Sequence, residues 1–126
     1  MKYLVASILA VLSYGSCAQA QEPAAAAAAA NASKEIYFRS LTAPAVAGRC
    51  EAAIPGYGSE FGPAFEKWKV HNAAVIEAER ELQRAKLKPG ETLEQYEASV
   101  PKWMLIGMDA GLTPQTLRNM CGHTLE

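Results

Sequence analysis

From Ser59 onward the apolar positions of the chain recur at helical spacing. Phe61, Phe65, Trp68, Asn72, Val75 and Leu82 follow one another at intervals of 4, 3, 4, 3 and 7 residues, with Ala64, Ala78 and Ala85 alongside. These intervals draw a single stripe down one face of an amphipathic helix. Ser59 can cap its start, Pro63 is tolerated in the first turn, and Lys86, Lys88 and Pro89-Gly90 supply a basic last turn and a stop. The pattern predicts one long central helix from Glu60 to Leu87, about 42 Å at 1.5 Å per residue.

Shorter helices flank it. Thr42 before Ala43-Pro44 predicts a capped start and Pro55-Gly56 an end, with Val46, Cys50 and Ala53 or Ile54 on one face. Thr92-Leu93-Glu94-Gln95 matches a capping box. Leu93, Tyr96, Val100, Trp103 or Met104, and Gly107 or Met108 continue the period after it. Pro101 inside this segment predicts a kink or two consecutive helices. Gly111 is a terminator, and Thr113-Pro114 restarts a last short helix carrying Leu117, Met120 and Cys121 on one face. No stretch alternates with period two for long enough to form a strand. Residues 36–126 are therefore expected to form an all-α, small three- to four-helix domain with one long central helix.

The N-terminal third has a different grammar. Lys2, the apolar run Leu4 to Leu12 and the small residues of Ala18-Gln19-Ala20 make residues 1–20 a signal peptide cleaved after Ala20, because nine apolar residues are too few to span a bilayer. The competing reading is a lipoprotein signal anchored at Cys17. Gly15 and Ser16 fit it, but Tyr14 stands where a branched aliphatic residue is usual. Residues 21–35, with their seven-alanine run, read as an Ala-rich low-complexity linker, since that run is shorter than an isolated helix needs. The expected localisation is periplasmic or secreted.

Export changes what the cysteines mean. With Cys17 removed, Cys50 and Cys121 remain, each on the apolar face of a terminal short helix, in a compartment that permits oxidation. One disulfide closing the domain is the economical pairing. A redox role fits poorly, because oxidoreductase cysteines sit two residues apart at a helix start.

Charge and chemistry then exclude more than they offer. Of the 12 Lys and Arg, Lys2 leaves with the signal, so 11 face 13 acidic residues for a net charge of −2. Interspersed signs at this balance give no footprint for nucleic acid or anionic lipid, and no later segment is apolar enough for stable membrane insertion. No metal-ligand spacing, phosphate loop, dinucleotide fingerprint or nucleophile elbow occurs, so no cofactor is expected. His71 flanks the apolar stripe and reads first as a half-buried packing residue. Glu77, Glu79, Arg80, Glu81 and Arg84 read as a solvated face with ion pairs at i,i+3.

What is left is a surface for recognition. Tyr57, in the linker before the long helix, Phe61, at its start, and Trp103 and Met104, in the Lys102–Met108 apolar run, are the candidate partner-binding residues. The layout of signal, linker and disulfide-closed helical domain resembles small exported bacterial proteins, among them periplasmic immunity proteins, inhibitors and acid-stress chaperones. The expectation is a non-enzymatic protein-binding module of the bacterial envelope, of inhibitor, immunity or adaptor type, whose partner is another exported or envelope protein. A chaperone-like or structural stress factor is the alternative, and a small enzyme using His71 and a glutamate the minority reading. A homodimer is compatible with either of the first two.

Overall fold

The computed structural model describes residues 21–123, which form five helices: α1 (Gln21–Ala53), α2 (Tyr57–His71), α3 (Ala73–Arg84), α4 (Leu93–Gly111) and α5 (Pro114–His123). No strand occurs among the described residues. The predicted signal segment, with Cys17 and Ala20, lies outside them.

The longest helix is α1, in a part of the chain where the sequence pattern suggested a linker and then a separate short helix. Its buried positions Ala43, Ala47 and Cys50 recur at helical spacing toward the core, and Tyr37 is buried further up the helix. Pro44 lies within the helix, and Thr42, expected as a cap, instead donates its hydroxyl to the Phe38 carbonyl at 2.9 Å. Burial of Thr42 and Ala43 outweighs the backbone hydrogen bond lost at Pro44. Upstream, Pro23 to Ala32 are exposed on every side. An isolated alanine run fails for want of a nucleus, but here a docked helix supplies one and alanine only has to propagate it.

The predicted central helix is present with one interruption. α2 and α3 meet at Asn72, whose side-chain amide donates to the Trp68 carbonyl at 2.8 Å while the backbone ladder runs on through Asn72 N–H to Trp68 and Ile76 N–H to Asn72. This local competition for a carbonyl is the usual cost of a mid-helix asparagine. The helix also starts at Tyr57, two residues before the expected Ser59 cap. The acceptor comes from α1: the Glu51 carboxylate takes the backbone N–H of Gly56 at 2.9 Å and of Gly58 at 2.6 Å. Gly56, at φ +90°, makes the sharp reversal that lets α2 fold back.

These two hydrogen bonds hold the Glu51 carboxyl below its ordinary pKa, the bond from Gly58 contributing most. A depressed folded-state value means a contribution that is present above the unfolded pKa of about 4.3 and lost as pH falls through the folded one. Glu51→Gln is therefore expected to lower the melting temperature at neutral pH and to flatten the fall in melting temperature below about pH 4. An unchanged slope in a series of melts across that window would remove Glu51 as the cap.

α4 begins with the predicted capping box, Thr92 accepting from Gln95 N–H at 3.2 Å and Gln95 accepting from Thr92 N–H at 3.1 Å. It runs past Pro101 as one helix to Gly111. The turn before it places Pro89 and Gly90 between Lys88 and Glu91, with Gly90 at φ +87° and Glu91 N–H bonded to the Lys88 carbonyl, a type II pattern. Thr113 opens α5 by accepting the Thr116 N–H at 3.1 Å.

α1 packs against all four other helices, and α3 also packs on α4. The core lies where α1, α2 and α5 meet: Ala43, Ala47, Cys50, Tyr57, Phe61, Phe65 and Cys121, with Val46, Trp68 and Leu117 against it. Cys50 and Cys121 are fully buried and form the predicted disulfide, Cα atoms 5.6 Å apart.

Candidate functional site

Residues on α1 and α4 meet at one constant offset. Tyr37 Oη donates to Glu97 Oε1 at 3.0 Å, and Arg49 pairs with Asp109 at 2.6 Å three turns further on. Both contacts are 60 residues apart in sequence, so the two helices run parallel and in register. Parallel neighbours leave a valley along their shared outer edge.

The valley is fixed from below by a polar knot. Arg80 of α3 reaches both carboxylate oxygens of Glu97, Nε at 2.7 Å and a terminal nitrogen at 3.2 Å, and also touches Glu77 at 3.3 Å. Tyr37 completes it from α1. The fork geometry makes this a directional, charge-assisted clamp between three helices. Burial and the adjacent Glu97 carboxylate push the Tyr37 hydroxyl well above the ordinary tyrosine range, and Glu97 likewise raises the Arg80 guanidinium. Both groups therefore stay protonated and donating at any physiological pH.

Above the knot lies an open groove of about 620 Å³ lined by Phe38, Tyr96, Ser99, Val100, Trp103 and Met104. Trp103 is 72 % exposed and Phe38 49 %, and Ile106, one turn beyond Trp103, is 64 % exposed. The groove adjoins a cleft of about 230 Å³ between α1, α3 and α4. The two share Phe38, Tyr96 and Val100, while the cleft adds Tyr37 and Leu41 and a charged rim of Lys34, Glu79 and Lys86. The surface is mostly apolar, with five carbon-rich side chains and two hydroxyls, those of Ser99 and Tyr96. It can exclude water from a partner's side chain.

The four sequence candidates divide between core and surface. Trp103 and Met104 line the groove. Tyr57 and Phe61 do not: at 5 % and 7 % exposure they belong to the core, stacked in a run from Tyr57 through Phe61 and Phe65 to Trp68 with ring centroids 5.9, 5.1 and 5.7 Å apart. The reason is that the stripe they share with Phe65 packs on Ala43, Ala47 and Cys50 of α1 and Cys121 of α5, so their rings are spent on the core. His71 is exposed at the end of α2, not half-buried, and among the described residues no hydrogen bond or ion pair joins it to a glutamate.

Phe38, Tyr96 and Val100 were missed as groove-lining residues. Tyr96 and Val100 carried the period of α4 and were expected to face the core. Phe38 lay ahead of the expected first helix; only with α1 continuous do Lys34, Phe38 and Leu41 fall on one face. Among the described residues no group of three or more His, Cys, Asp or Glu is placed to hold a metal ion, and no helix is long and apolar enough to cross a membrane. Comparison of the chain with protein-family models, curated proteins and solved structures finds no match.

Proposed function

We propose that this chain is an exported, non-enzymatic protein-binding module of the bacterial envelope, whose partner docks in the groove between α1 and α4. What supports this is the exposure of Phe38 and Trp103 on a groove that the half-buried Met104 also lines, beside the polar clamp of Tyr37, Arg80 and Glu97. Large apolar side chains gathered over a concave surface are the usual composition of a binding hot spot, and Trp103 is the side-chain type most enriched there. Export rests on the N-terminal signal pattern, and the buried disulfide is in keeping with an oxidising compartment.

Trp103→Ser tests the reading. An exposed residue outside any cap or buried network should change stability by no more than about 0.5 kcal/mol. Truncating a hot-spot tryptophan should cost about 2 kcal/mol or more of binding, roughly a thirtyfold weaker complex. The measurement is quantitative capture from envelope extract with wild type and variant, beside their melting temperatures. One stoichiometric partner held by the wild type and lost by Trp103→Ser is the expected result. Equal capture by both would remove the groove, and suppression of aggregation of unrelated clients by both would favour the chaperone-like alternative.

A further inference from the structure

We infer that the partner presents an acidic amphipathic helix, its apolar stripe seated along the groove and its carboxylates at the end that reaches the adjoining cleft, facing Lys34 and Lys86. This rests on reading the groove as a docking surface. From Tyr96 to Met104 the groove follows α4 for about 12 Å at the helical rise. That length takes side chains at i, i+3 or i+4, and i+7 of a helix laid in the valley.

Charge decides which helix. Arg49, Lys69, Arg80 and Arg84 each face a carboxylate of their own chain: Asp109, Glu66, Glu97 with Glu77, and Glu81. Lys34 and Lys86 line the cleft and are in no ion pair among the described residues. Glu79 is the one acidic residue of that lining and is likewise unpaired, so two ammonium groups stand against one carboxylate. The groove itself carries no charge. Glu91, in a shallow depression beyond Tyr96, already accepts the Lys88 N–H at 2.9 Å. A carboxylate brought to the cleft meets a net positive rim beside an apolar wall, where screening by salt is weakened as the partner settles. A lysine there meets like charge.

The test is selection of peptides by the full chain from a display library of amphipathic helices, with leucine and alanine on one face and the other positions randomised among Glu, Lys, Gln and Ser. The wild type is expected to enrich Glu over Lys at one end of the helix by roughly tenfold at low salt. The double variant Lys34→Glu with Lys86→Glu should invert that preference at the same positions, and Trp103→Ser should abolish both enrichments. Binding that depends on Trp103 but shows no Glu preference, or keeps it after charge reversal, overturns the acidic partner while the groove stands. Enrichment indifferent to Trp103→Ser overturns the groove as well. A concentration-dependent dimer that Trp103→Ser dissolves would put a second copy in the groove and overturn the proposal.

Discussion

Replacing Cys50 and Cys121 together with alanine is expected to lower the unfolding free energy by about 4 kcal/mol, the loop-closure entropy of a bridge spanning some 70 residues. The cysteines are 71 residues apart, and their loop contains all of α2, α3 and α4. Opening it releases the unfolded chain without removing a large side chain from the folded one. A domain of about 100 residues has only 5 to 15 kcal/mol in total, so the melting temperature should fall by roughly 20 °C. Urea titration of the oxidised wild type and the double variant measures the difference directly. Each single variant should lose as much as the double one, since either change abolishes the same bond. A loss below about 1 kcal/mol would place the stability in packing instead. Because neither sulfur is exposed to solvent, reductant should act on the native protein only as fast as the α1–α5 contact opens.

Phe61→Ala is expected to cost about 3 to 5 kcal/mol, comparable to the loss of the bridge. Phe61 sits at the middle of the aromatic run, with Tyr57 on one side and Phe65 on the other. Its removal takes two stacked contacts and leaves a cavity that helices on both sides already fix in size. The adjacent Cys50 and Cys121 belong to the same cluster, so Phe61→Ala and loss of the disulfide should not add independently. Equilibrium denaturation of the single and combined variants reads this coupling. A cost under about 1 kcal/mol for Phe61→Ala would mean that the aromatic run is not the core.

How far the sequence disclosed all this depended on whether the deciding interaction was local. Thr92 with Gln95, Glu91 with Lys88 across Pro89-Gly90, and Thr116 with Thr113 are bonds within a few residues, and each turn or cap was legible. So were the helical class and the cysteine pairing. The start of α2 was not, because its cap is Glu51, on the preceding helix. Pro44 suggested a boundary by its own chemistry, and burial of its neighbours overrode it. The groove was half legible for the same reason. Trp103 and Met104 stood out in an apolar run, but which side of α4 faces outward is set by Tyr37, Arg80 and Glu97 meeting from three helices. No periodicity records that meeting.

The position of the disulfide has a consequence for what a single backbone cut can do to the chain. The linker between α3 and α4, residues 85–92, is the longest non-helical stretch among the described residues, and it lies inside the loop that the bridge closes. A cut there cannot release a fragment. The two pieces remain one covalent molecule, joined at Cys50 and Cys121, and each sees the other at an effective concentration set by the bridge rather than by dilution. Re-forming the α1–α2–α5 core after such a nick remains a first-order event. The nicked protein would run as one species, heavier by a single water, until reduced, and its core would outlast the continuity of its backbone.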